Sequence, residues 1–336
     1  MYTQLSDMNS REMDSRCENI GNFFHLLINS VESNTKYDTI VVKENKLYKM
    51  NNKRGKKMIY ENEIHDEERS FYGIKDAVIR NCKIDGPADG ESAFKECRNI
   101  TVEDTYLNLR YPFWHDENVK ITQCEMTEGC RAALWYDKGV DIENCKMHGI
   151  KALRECETIT LKNTDVISPE FAWRSRDIKI DTVTIQGEYP FFECKNMDIK
   201  ELKMKGKYSF QYVENVTLKN CVLDTKDAFW HAKNVTIEDS VVKGEYLAWY
   251  AENIRFIRCK IIGTQPLCYV KDLVLEDCEM EACDLSFERS HVTATIKGHI
   301  DSVKNPISGS IVADAIGELI LEEEIVTPGA CKITTR

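Results

Sequence analysis

A chain of 336 residues with a formal net charge of −11 repels phosphate backbones, so nucleic-acid binding is not expected of it. Hydrophobic residues at 42% are enough for a core, yet no run approaches the roughly 20 apolar residues that cross a bilayer, so no membrane partner is expected either. The 14 cysteines show no C-x-x-C or paired Cys/His spacing, which argues against zinc and leaves no cofactor or metal to expect.

The opening MYTQLSDMNSREMD lacks the basic-then-apolar pattern of a secretory signal, so a cytoplasmic location with reduced thiols is expected. Residues 1–56 read as an N-terminal extension. Residues 10–33, SREMDSRCENIGNFFHLLINSVES, have the pattern of an amphipathic helix, with Asn9 and Glu12 in capping-box spacing and Phe23, Phe24, Leu26, Leu27 and Ile28 giving it an apolar face. Strand-like YDTIVVKENKLYKM follows. Such a module can cap the next domain, or its helix can dock a protein partner or a second copy of the chain.

From Phe71 onward the sequence repeats. Units open at Phe71, Phe94, Phe113, Leu134, Leu153, Ala172, Phe191, Phe210, Phe229, Ala248 and Leu267, and from Phe94 every step but one is 19 residues. Six and eight residues into each unit lie apolar pairs such as Val119/Ile121 and Val235/Ile237, the alternation of a half-buried strand. Gly86, Gly149, Gly187, Gly206, Gly244 and Gly263 mark a common turn. One strand run per unit, closed by turns at fixed offsets, predicts a solenoid of stacked coils. Asn99, Asn118, Asn196, Asn215, Asn234 and Asn253 precede the strand, which disfavours leucine-rich repeats and suits an amide ladder in a parallel β-helix. Most cysteines fall in two unit positions, one holding Cys82, Cys124, Cys145, Cys221, Cys259 and Cys278 and the other Cys97, Cys156 and Cys194. They are expected as reduced packing thiols.

The units FWHAKNVTIEDS, FWHDENVKITQC and FKECRNITVEDT, the entry EERSFYG and the exit IVADAIGELILEEE resemble a bacterial family of uncharacterised proteins in the pectate-lyase-like superfamily. The resemblance covers about residues 57–325 and implies right-handed coiling; it implies no activity. The expected fold is all-β: a single-stranded right-handed parallel β-helix of about 12 coils, with a small N-terminal helical and strand cap over 1–56 and a C-terminal tail over 326–336. Asn163-Thr164-Asp165 echoes an opening motif of polygalacturonases, but the segments that should follow it are absent.

Chemistry on such a fold sits on its flanks. One residue after the unit starts come Trp114, Trp135, Trp173, Phe192, Trp230 and Trp249, and beside them His115, Tyr136, Glu155, Arg174, Glu193, Tyr212, His231, Tyr250 and Tyr269. Alternation would bury one of these columns, yet so many charged groups cannot all be buried, so the strand must bend there. Coil insertions around Pro87–Glu91 and Glu128–Gly129 place Arg110, His115, Asp116, Arg131 and Asp137 nearby. Asp116 and Asp137 on adjacent coils, with His115, are the candidate catalytic groups; alternatively the two acids accept hydrogen bonds from turn amides. Trp114, Trp135, Tyr136, Arg110, Arg131, Arg174, Trp173 and His231 are the candidate ligand-binding set. Two functions stay open: binding or modification of an oligosaccharide or sugar conjugate, and a non-catalytic scaffold that binds protein.

Overall fold

The computed structural model describes residues 39–43, 46–50, 57–86 and 91–336. Two units are distinct, Met1–Lys56 and Lys57–Arg336. In the first, Thr39–Lys43 pairs antiparallel with Lys46–Met50. The helix expected over 10–33 and the inserted residues 87–90 lie outside the described residues.

The second unit is a parallel β-helix of about 14 turns. Its main sheet starts at Met58–Glu61 and ends at Cys331–Thr335, with successive strands in parallel register: Val119 faces Ile100 on one side and Val140 on the other. The coil count exceeds the expected 12 because the interval changes near the end. Val292 faces Gly309 and Gly309 faces Cys331, steps of 17 and 22 residues that a 19-residue period does not find. Residues 326–336, expected as a tail, therefore include a strand of the stack. Among the described residues no helix is long and apolar enough to cross a membrane.

Each coil turns by placing single residues in the left-handed region. In the coil that opens at Phe113 these are His115 (φ 58°), Asn118 (φ 57°) and Gln123 (φ 55°). Such a residue reverses the inside–outside alternation locally, so Phe113, Asp116, Val119, Ile121, Cys124 and Met126 all point inward. Left-handed backbone costs most residues about 1–2 kcal/mol and Asn less, which is why Asn recurs before the strand. Glycine at the common turn has a different cause. A Cβ on Gly206 would meet the carbonyl oxygen of Gly187 one coil away, so close approach of the coils excludes a side chain.

Equivalent residues stack into columns. Phe71, Phe94 and Phe113 form one pillar with centroids 5.1 and 4.9 Å apart, and Phe191, Phe210 and Phe229 another at 4.7 and 5.0 Å. Each of these buried rings contributes roughly 1.5–3 kcal/mol by burial, and each stacked pair about 0.5–1.5 more.

The cysteine column has a polar reason as well as a packing one. Cys221 N–H donates to Ser240 Oγ at 2.9 Å, Cys145 N–H to Thr164 Oγ1 at 3.3 Å and Cys124 N–H to Cys145 Sγ at 3.3 Å. The same side chain donates back to the carbonyl two residues earlier, as Thr164 does to Lys162 at 2.8 Å and Cys221 to Lys219 at 3.3 Å. Cys, Ser and Thr are interchangeable there because each is small, accepts one inward amide and donates to one carbonyl. All 13 cysteines among the described residues are free.

Two ladders run along the outside. Asn253 donates to Asn234 (2.9 Å), Asn234 to Asn215 (3.0 Å), Asn215 to Asn196 (3.0 Å) and Asn196 to Asp177 (2.9 Å), so the amide chain ends on a carboxylate. Immediately before it in each coil, signs alternate: Arg98, Glu117, Lys138, Glu157, Arg176, then Lys195, Glu214, Lys233, Glu252, Lys271. Arg176–Glu157 (2.6 Å) and Lys195–Glu214 (3.0 Å) are the shortest pairs. Being exposed, each is worth about 0–1 kcal/mol.

Two outcomes are expected. Asn215→Gly should lose the ladder bonds, about 1 kcal/mol, whereas Asn215→Ala should lose a further ~1 kcal/mol to left-handed strain. Urea unfolding of both variants measures the gap, and equal losses would remove backbone strain from the account. Fresh protein, denatured without reductant, should titrate close to the 14 thiols of the sequence; two or more protected pairs would contradict the packing role.

Candidate functional site

The column one residue past the coil start is a pillar of aromatic rings and cations. Lys95 Nζ lies 5.5 Å from the Trp114 ring, Trp114 stacks on Trp135 at 5.4 Å, and the Arg154 guanidinium lies 5.4 Å from both Trp135 and Trp173. Tyr111 packs edge-on against Trp114 at 5.5 Å, and the Arg110 guanidinium lies 5.1 Å from the Tyr111 ring. The pillar is half-buried. Each cation–π contact of this kind is worth about 0.5–2 kcal/mol.

The next residue in each coil is the left-handed one, so its side chain points out. His115 stacks on Tyr136 at 4.9 Å; further along, Tyr212, His231, Tyr250 and Tyr269 stack at 4.9, 5.2 and 4.9 Å. The bend inferred from the sequence is thus a left-handed residue, and the His/Tyr column is the exposed one. Within each stacked run, interior ring faces lie against the ring one coil away. What these stacks present outward is mainly ring edges with their hydroxyl and imidazole groups. Burial and the Lys95 ammonium hold His115 below the usual histidine range, favouring the neutral ring.

Asp116 and Asp137 turn the other way and are fully buried. Asp116 Oδ1 accepts the Cys97 N–H at 2.6 Å, and Asp137 Oδ1 accepts the Asp116 N–H at 2.7 Å. Ser175 Oγ does the same for the Cys156 N–H at 3.1 Å, so the acids occupy a structural position. Their other oxygens, Oδ2 of each, have no hydrogen-bond partner. Burial pushes Asp116 up from 3.8 to about 7; burial and the neighbouring Asp116 push Asp137 well above its ordinary value.

The structure therefore separates the expected set. Trp114, Trp135, Trp173 and Arg110 meet in one ledge, with His115 and Tyr136 beside it. Asp116 and Asp137, expected as catalytic groups with His115, face the core instead, because the left-handed residue before each reverses the alternation. Arg174 is exposed and bonded to Glu193 at 2.7 Å. Arg131 is exposed beside the coil of Lys151, whose N–H bonds the Arg131 carbonyl at 2.8 Å. His231 belongs to a second ledge with Trp230 and Trp249, six coils further on and roughly 29 Å away at about 4.8 Å per coil. Sequence reasoning missed Lys95 and Arg154. Both occupy the tryptophan column, and reading that column through its non-aromatic members finds them.

The two ledges differ in how their indoles are held. Trp230 Nε1–H donates to the Tyr246 carbonyl at 2.7 Å and Trp249 to that of Gln265 at 2.9 Å, as Trp173 does to Tyr189 at 2.7 Å. Trp135 Nε1 is buried with no acceptor.

Residues 58–334 match the family described as protein of unknown function (DUF3737). The chain belongs to that family. No curated protein matches it. Among solved structures, the A-module of mannuronan C-5 epimerase AlgE4 of Azotobacter vinelandii is similar at TM-score 0.31 and 9% identity, over 83% of this chain and 89% of that one. The catalytic domain of a GH87 α-1,3-glucanase in complex with nigerose is similar at TM-score 0.32 and 8% identity, over 83% of this chain and 63% of that one. Likenesses this distant say nothing of substrate. Two grooves lie off the ledges: one of about 450 Å³ runs beside the amide ladder between Thr158 and Asn215, another of about 390 Å³ between Lys260 and Asp301.

The buried acids set a pH dependence. Their folded pKa values are raised, so stability is greatest while both are protonated and falls as pH climbs from the unfolded 3.8 through about 7 for Asp116. At about 1.4 kcal/mol per unit, ionising Asp116 costs on the order of 4 kcal/mol. An Asp116→Ser/Asp137→Ser variant, which copies Ser175, should match or exceed the wild-type melting temperature near pH 8 by more than it does near pH 5. Parallel melting profiles across that range would show that the pair does not titrate.

Proposed function

We propose that this protein binds an extended polar ligand, an oligosaccharide or a sugar conjugate, along the flank formed by the pillar and the His/Tyr column. The observation that carries this is the row of outward ring edges, His115–Tyr136 and Tyr212–His231–Tyr250–Tyr269, repeating once per coil. A chain of sugars offers hydroxyl groups at regular intervals, and phenol and imidazole edges can both donate to and accept from them. Ligand contact is thus by edges and hydrogen bonds and not by stacking on ring faces. Arg110, Arg131 and Arg174 border the row and supply further donors. The reading is one of binding. Burial of Asp116 and Asp137 removes them as acid and base for an external substrate, so cleavage would need other groups.

One observation favours the scaffold reading. Trp173, Trp230 and Trp249 are tied by their N–H groups to backbone carbonyls, so much of the aromatic mass holds coils together. Under that reading the flank, or the N-terminal unit, meets protein.

Tyr→Phe substitutions separate the two, since they delete an outward hydroxyl and leave the ring stack. With a ligand found by glycan-array screening, Tyr136→Phe and Tyr250→Phe should each weaken binding about fivefold, the value of one hydrogen bond, at unchanged melting temperature. Trp135→Ala should weaken it more, whereas Trp249→Ala should chiefly lower the melting temperature. Wild-type affinity in both Tyr→Phe variants, or no glycan bound at all, would leave the scaffold reading in its place.

A further inference from the structure

Among the described residues, the ledge around Trp135 leaves buried hydrogen-bond donors without acceptors. Trp135 Nε1–H is buried without an acceptor, alone in this among the tryptophans whose N–H is buried. Arg154, 13% exposed, donates from Nε to Glu155 at 3.1 Å, but its buried Nη1 stops 3.6 Å from Glu170 and makes no hydrogen bond. Lys95, stacked on Trp114, has no carboxylate partner among the described residues. The acids nearby are already engaged: Glu96 accepts the Tyr72 hydroxyl at 3.0 Å, and Glu170 also faces Lys151 at 3.5 Å. A buried donor left without an acceptor is costly, and charge-assisted bonds are the strong ones.

We propose that the ledge that runs from Lys95 to Arg154 anchors, at its Lys95 end, an oxyanion, a carboxylate or phosphate group carried by the ligand. This rests on the flank being a ligand surface and names the chemistry that surface selects. In a chain of net charge −11, an anion is drawn only where cations are locally in excess. The second ledge lacks that excess. Its pillar neighbours are Gln211 and Cys268, and both of its indoles are already satisfied. His115 provides an independent reporter. The ammonium of Lys95 helps to hold its pKa down, so an anion seated beside Lys95 must raise it.

The test titrates the full-length protein with glucose, glucuronic acid, glucose-6-phosphate and inorganic phosphate, reading tryptophan fluorescence and the His115 pKa by NMR. At least one charged sugar should bind about tenfold tighter than glucose and raise the His115 pKa. Lys95→Met should abolish that preference, with the melting temperature lowered only by the lost contact with Trp114. Whichever of the two charged sugars wins identifies carboxylate or phosphate, and inorganic phosphate binding as tightly as the sugar phosphate makes the free ion the ligand. Glucose bound as tightly as both charged sugars overturns the proposal while leaving the sugar reading intact. Phosphate bound with the His115 shift, but no sugar bound, does the reverse. A preference that survives Lys95→Met without moving His115 overturns it too, and failure of all four probes to bind removes both.

Discussion

In a parallel stack every side chain sits about 4.8 Å from its counterpart one coil away. A column must therefore be made of groups that tolerate their own kind. Phenyl rings do, by stacking; amides do, because one end donates and the other accepts. Thiols and hydroxyls do, because each accepts from the coil before it and donates to its own chain. Ammonium and carboxylate groups do not, and the chain alternates them. Arg98 to Arg176 and Lys195 to Lys271 are each a run of alternating signs, so a slip by one coil would set like charges side by side. Each pair is weak, yet the penalty for a slip is summed along the run, which turns a marginal contribution to stability into a specification of register.

Asp116 and Asp137 break this logic. They are two like groups on adjacent coils, buried, each with one oxygen unpartnered. Ser175 shows that a hydroxyl fills the same place. Burial raises both towards the neutral form, in which a carboxyl group resembles the hydroxyl it replaces. The stack tolerates them as acids and resists them as carboxylates.

Much of the fold was legible because the stacking constraint writes itself into the sequence as period. Phe, Asn, Gly and Cys columns appear at fixed offsets, and each means one thing. What the period could not show lay where the interval changes: the strands Ser308–Ala313 and Cys331–Thr335 follow steps other than 19, and the second falls in the segment expected as a tail. The candidate site was legible as a list and illegible as a geometry. Alternation could not say whether His115 or Asp116 faces out, because a single left-handed residue decides it. Lys95 and Arg154 escaped notice because the column was read for tryptophan, and cations are no less at home than indoles between indole faces.

The two Phe-Trp-His segments, at 113–115 and 229–231, show how one coil sequence can serve two ends. Backbone, phenyl core and outward imidazole are the same in both. The difference lies in the neighbouring coils. Trp230 and Trp249 find backbone carbonyls for their N–H groups, and among the described residues no cation stacks on them. Trp114 and Trp135 lie between Lys95 and Arg154, the first in a coil lengthened by insertion, and among the described residues the Trp135 N–H has no acceptor. A donor deficit of acceptors inside a well-ordered stack is a defect if the molecule is only a scaffold. It is an asset if another molecule brings the acceptor, and the first ledge, with its surplus of cations, is where such a molecule would be held.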